Sequence, residues 1–176
     1  MHSAHTPGGV TVALEPLAHA PPQVEYRWDV DTDILCAALV EPAADGAHSG
    51  SVELEGADGS WLVLDVHDGR LHGVEVAVWP DIQTVPVLSP PAAEPARVRL
   101  FDAPRAPLTI RGSDVEVDVQ LTAETDPSER TIHFRLGEQA TERTVSVGRD
   151  ILLDVDGADR LAGLWLLNVP PLPALP

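Results

Sequence analysis

The chain has 176 residues and a mass of 18.8 kDa, enough for one ordinary domain or two small ones with a sizeable core. Twenty-eight acidic residues against eleven basic ones give a net charge of -17 and a pI near 4.5, which argues against nucleic acid and anionic membrane surfaces as partners. All the basic residues are arginines, scattered singly along the chain, so chemistry that needs a lysine is excluded, and the single Cys36 excludes an internal disulfide or a cysteine zinc cluster.

In chain order, residues 1–22 read as an arm with one short strand, Val10–Leu14. They lack the basic start and apolar run of a secretory signal. Strands are then predicted at Val24–Val30, Ile34–Val40, Ser51–Glu55, Trp61–Val66 and Leu71–Trp79, because short runs of β-branched, aromatic and leucine residues alternate with Gly, Pro, Asp and Ser clusters. Residues 81–107 hold six prolines and read as a stiff connector with a weak strand at Arg97–Phe101. A second series follows at Val115–Thr122, Thr131–Leu136, Thr144–Val147, Ile151–Val155 and Leu161–Asn168, and residues 171–176 form a proline-rich extended tail. No sustained helical periodicity and no run of about eighteen apolar residues occurs. The expectation is a soluble, cytoplasmic, all-β protein.

The two series rhyme. Leu64-Asp65-Val66 matches Leu153-Asp154-Val155, Arg70-Leu71-His72-Gly73 matches Arg160-Leu161-Ala162-Gly163, and Pro80 falls opposite Pro170. The lead-in segments Val12–Pro16 and Arg99–Pro104 share a pattern too. A period of about ninety residues suits a duplicated small domain, with a first β repeat at 23–80 and a second at 108–170. The Asp68-Gly69 turn predicts a hairpin pairing Val66 with Leu71, Leu64 with Gly73 and Leu62 with Glu75. The second hairpin then pairs Val155 with Leu161 and Leu153 with Gly163. In this register both faces of the first hairpin are apolar: Leu62, Leu64, Val66 and Leu71 on one, Trp61, Val63, Val74 and Val76 on the other. Two apolar faces need cover on both sides. Two tandem antiparallel meanders packed as one pseudo-twofold sandwich or barrel satisfy that need, with a homodimer as a further source of cover.

Tyr26, Asp33-Ile34-Leu35-Cys36-Ala37, Val63-Leu64-Asp65, Gly69-Arg70-Leu71 and Gly73-Val74-Glu75-Val76 together resemble a small bacterial domain family of unknown function. Its pattern runs Asp-x-Leu-Tyr-Ile, then Leu-x-Asp-x-x-x-Gly-x-Leu-x-Gly-Ile-Glu-Ile. The likeness covers about a third of the chain; the second series follows it loosely, with Trp165 where the family has Glu, and Cys36 replaces the family's aromatic. The resemblance implies a curled antiparallel meander and, because members are suspected partners in two-gene modules, a binding role.

Three residues are candidates for chemistry. Asp65 and His72 lie opposite each other in the predicted register, where a carboxylate raises an imidazole's basicity. Glu75 sits among valines facing Leu62 and Leu64, an apolar setting that raises a carboxyl pKa. No nucleophile completes a catalytic set. The acidic runs Asp29/Asp31/Asp33 and Asp154/Asp156/Asp159 lack the glycine and glutamate of a calcium loop and read as turns. His67 and His72 lack a third zinc ligand, and His2, His5 and His19 fall in the arm, so no metal and no cofactor is expected. Trp28, Trp61, Trp79 and Trp165 fit either a core or an apolar cavity. The first functional expectation is a non-enzymatic binding or assembly protein that presents an apolar sheet face to a protein partner or to a second copy. The second is a cofactor-free cyclase or isomerase acting on an apolar small molecule in a barrel pocket, with Glu75, Asp65 and His72 as acid–base groups.

Overall fold

The computed structural model describes residues 9–41, 49–103, 106–107 and 115–174. The strands in chain order are β1 (Thr11–Pro16), β2 (Val24–Asp29), β3 (Ile34–Leu39), β4 (Ser49–Gly56), β5 (Trp61–His67), β6 (Arg70–Val78), β7 (Ile82–Thr84), β8 (Glu94–Ala103), β9 (Ala106–Pro107), β10 (Val115–Val119), β11 (Leu121–Thr125), β12 (Ile132–Leu136), β13 (Arg143–Gly148), β14 (Ile151–Val155) and β15 (Leu161–Leu166). No helix occurs among the described residues, and the sheet is mixed and curls into a half-barrel. Its main path runs β10-β4-β5-β6-β8-β13-β14-β15-β12-β11-β7, with β1 and β9 on β8 and the β2–β3 hairpin on β6.

The two series have one pairing order, β4-β5-β6-β3-β2 and β13-β14-β15-β12-β11. They meet at the β1–β8 ladder. Val12 of β1 and Leu100 of β8 lie directly opposite each other in an antiparallel ladder. Val12 N–H donates to Asp159 O at the turn of the second hairpin, and Leu100 N–H donates to Gly69 O at the turn of the first. Each hairpin tip thus docks on one of two central strands that pair with each other. Tyr26 of the first series donates its hydroxyl to Leu167 O at 2.7 Å, and Trp28 Nε1 donates to Pro170 O at 2.8 Å. Trp79 packs on Phe134 with ring centres 6.0 Å apart. A single buried core holds Leu35, Leu62, Leu64, Val74 and Val76 together with Phe134, Ile151, Leu153 and Leu164.

The predicted register fails after the first pair. Asp68 and Gly69 both take positive φ, as the two centre residues of a type I′ turn must, and Val66 faces Leu71. A bulge then leaves His72 without an opposite residue, so Asp65 faces Gly73, Leu64 faces Val74 and Val63 faces Glu75. The second hairpin bulges at the corresponding place, with Ala162 unopposed and Asp154 facing Gly163. The reason is steric as well as periodic. A Cβ on Gly73 would lie 2.9 Å from Ala37 O, and one on Gly163 would lie 2.9 Å from Phe134 O, so the third strand approaches where only glycine fits. The extra residue also reverses the alternation, bringing Val74 and Val76 to the inner face beside Leu62 and Leu64, all buried. The first hairpin is therefore apolar inside and mixed outside, not apolar on both sides.

Other boundaries move for similar reasons. The predicted strand at 115–122 is two strands: β10 runs parallel to β4 of the first series, and β11 opens the second. The proline-rich segment contributes β7 on β11 and β8 at the centre of the sheet. In β8, Ala96, Val98 and Leu100 point into the core, which makes it a structural strand and not a spacer. His2 and His5 of the arm lie outside the described residues.

Candidate functional site

Residues paired across neighbouring strands share a face, so the register fixes the outer surface of the first series. One cross-strand row reads Arg27, Cys36, Glu75, Val63, Glu53 and Glu116 from β2 to β10. The rows beside it add Glu25, Ala38, Asp65 and Ser51 on one side and Trp61, Glu55 and Asp118 on the other. Glu25, Glu53, Glu55, Asp65, Glu75, Glu116 and Asp118 set seven carboxylates against one guanidinium, around an apolar strip of Trp61, Val63 and the exposed Val78.

All three candidates from the sequence lie on or beside this surface, in roles that differ from those expected. Glu75 stands next to Cys36 and Val63 and does not face Leu62 or Leu64. Partial burial pushes its carboxyl up, the Asp65 charge adds to that, and Arg27 opposes it. Asp65 is pushed up by burial, against the pull of His67 and His72. His72 is pushed down by burial and by the His67 imidazole stacked on it at 4.2 Å, so the basic imidazole expected from an opposing Asp65 is not formed. Burial and the Glu75 charge raise the Cys36 thiol, with Arg27 opposing, which keeps it protonated and a poor nucleophile.

The matching surface of the second series carries a cluster that sequence reading missed. Asp154, 2% exposed, accepts from His133 Nε2 at 2.8 Å, Thr144 Oγ1 at 2.7 Å and Trp165 Nε1 at 3.2 Å. His133 stacks on Trp165 with ring centres 3.9 Å apart. Burial alone would raise Asp154, but these donors and the His133 charge outweigh it and hold the carboxyl below its ordinary value. Asp154, His133, Thr144 and Trp165 occupy the positions of Asp65, Cys36, Ser51 and Glu75. Every donor in the cluster ends on one carboxylate, and the one hydroxyl donates to it, so the arrangement ties four strands together and offers no activated nucleophile. The Asp–Gly pair repeated at 65/73 and 154/163 was the available signal; the His133 contact needed the β12–β15 pairing.

Glu53, Glu55 and Glu116 bring carboxylate oxygens within 4.8 Å of one another, an oxygen-only set of the kind hard cations take, on an open surface. Asp29 accepts from Asp31 N–H, and Asp156 accepts from the N–H groups of Ala158 and Arg160, so both act as turn residues. Trp28 and Trp79 stack at 5.8 Å, and two clefts among the described residues are lined neither by a tryptophan nor by Glu75, Asp65 or His72. Among the described residues no helix is long and apolar enough to cross a membrane. No protein-family model matches the chain, and no curated protein matches it.

Proposed function

We propose that the protein is a non-enzymatic binding protein that docks a basic partner, an arginine- or lysine-rich segment with interspersed apolar residues, on the outer face of β2, β3, β4, β5, β6 and β10. The observation that carries this reading is the crowding of seven carboxylates around Trp61 and Val63. Carboxylates gathered on one face attract a cationic segment, and the aromatic strip supplies apolar contact area. The same charge disfavours a homodimer through this face, because two copies would oppose carboxylate to carboxylate. The resemblance of the first series to a family of suspected two-gene partners points the same way, and the common strand order supports descent of both series from one duplicated unit. A pocket enzyme is the weaker reading, since its acid–base candidates lie on an open sheet face.

The test is titration of the full chain with an octapeptide alternating arginine with valine and leucine, by calorimetry at low and moderate salt. Glu55→Lys with Glu116→Lys weakens binding at least tenfold, whereas Glu129→Lys with Glu138→Lys, exposed on the second series and identical in net charge change, alters it less than twofold. Equal weakening by the two pairs would reduce the interaction to bulk charge and overturn the assignment.

A further inference from the structure

Two clefts lie where the hairpins meet the central strands, and corresponding positions line them: Leu39, Arg70, Leu71 and Val98 in the first, of about 170 Å³, and Leu136, Arg160, Leu161 and Val10 in the second, of about 240 Å³. In both, the arginine Nε is buried and has no hydrogen-bond acceptor among the described residues. Their counter-ions differ. Arg160 Nε lies 3.4 Å from Oδ2 of Asp156, a buried carboxylate within ion-pair range though outside hydrogen-bond geometry. The corresponding residue of the first series, one past Val66 as Asp156 is one past Val155, is His67. Arg70 is left with Glu15, 3.7 Å from its terminal nitrogen and 57% exposed.

The first cleft also gathers positive charge that the sequence scatters. Arg97 lines it and makes no ion pair with a described residue, and Arg99 faces Arg70 across the strands. Glu41 stands among the lining residues as the opposing charge. In a chain of net charge -17, this cleft sets two arginines, one with a buried N–H that has no acceptor among the described residues, beside an apolar wall.

We infer that this cleft binds a small organic carboxylate with an apolar body: the carboxylate takes the place that Asp156 fills in the second series, forked between Arg70 and Arg97, and the body lies on Leu39, Leu71 and Val98. Arginine suits this because its planar donors match the two oxygens of a carboxylate. The size suits it as well, since a cavity of about 150 Å³ accommodates a benzene ring. The inference is independent of the acidic face and fails or stands separately from it.

The probe is benzoate, titrated into the full chain and followed by calorimetry and by amide chemical shifts, with benzamide as the neutral isostere. Saturable one-to-one binding at millimolar benzoate is expected, at least tenfold weaker for benzamide. Arg70→Gln and, separately, Arg97→Gln on the half-exposed side of β8 each weaken it about tenfold or more, and Arg160→Gln changes it less than twofold. Arg97→Gln keeps the test valid if Arg70→Gln perturbs folding. Benzamide binding as tightly as benzoate, indifference to Arg97→Gln, equal loss in Arg160→Gln, or no saturation by 20 mM (roughly the upper limit for a fragment of this size) would each overturn the inference.

Discussion

Replacing Asp154 by alanine is expected to destabilise the protein far more than replacing Asp65, although the two occupy corresponding positions. Asp154→Ala strands the donors of His133, Thr144 and Trp165, whose bonds to the carboxylate measure 2.8, 2.7 and 3.2 Å. A buried donor left without an acceptor costs about 1–3 kcal/mol, and breaking a buried charge-assisted network costs about 3–5 kcal/mol in all. For a chain of this size that lowers the melting temperature by on the order of 10 °C. Asp65 makes no side-chain hydrogen bond among the described residues, and burial raises its carboxyl instead of lowering it. Asp65→Ala therefore leaves stability within about 0.5 kcal/mol of the parent or raises it. Calorimetric melting of both variants at neutral pH and moderate salt measures the contrast, and indole fluorescence reports the loss of the Asp154 contact to Trp165. Equal melting shifts would refute the view that one carboxylate ties strands together while its counterpart sits in an anionic surface.

The pH dependence follows from opposite shifts. Glu75 and Asp65 are raised, so the stability they contribute is fully present below ordinary carboxylate values and is lost as pH rises through their folded values; Asp154 is lowered, so its contribution is present above the ordinary aspartate value and is lost as pH falls through its folded value. The melting temperature should therefore rise on acidification from neutrality toward about pH 5 and fall steeply below about pH 4; a flat profile in the Glu75→Gln, Asp65→Asn double variant over the upper range confirms the source, and an unchanged rise contradicts it. Added salt should stabilise the parent by screening the acidic face, and a melting temperature independent of sodium chloride between 10 and 300 mM, roughly 30 to 6 Å in screening length, would count against carboxylate crowding. Gly163→Ala places a Cβ 2.9 Å from Phe134 O and 2.6 Å from Asp154 Oδ2 and should cost about 1–3 kcal/mol by denaturant melting. Tyr26→Phe removes the 2.7 Å bond to Leu167 O between the two series and should cost about 1 kcal/mol; no measurable loss would mean the interlock is carried by packing alone.

The all-β class was legible because short apolar runs punctuated by Gly, Pro and Asp leave no helical stripe, and Asp68-Gly69 fixed a two-residue turn by its tolerance of positive φ. Local pattern sufficed there because a turn or a strand is a property of a few consecutive residues. It failed three residues beyond the turn, at His72, because a bulge is imposed by what approaches from the side: Ala37 O at Gly73 and Phe134 O at Gly163. From that displacement came the errors about Glu75 and His72. The acidic face, the Asp154 cluster and the gathering of Arg70, Arg97 and Arg99 were invisible for a deeper reason. Each depends on which strands become neighbours: β10 crossing to β4, β12 lying beside β15, β8 entering the centre of the sheet. Pairing partners distant in sequence are selected by the burial of a shared core, so residues scattered along the chain acquire common surroundings only when the whole sheet closes over it.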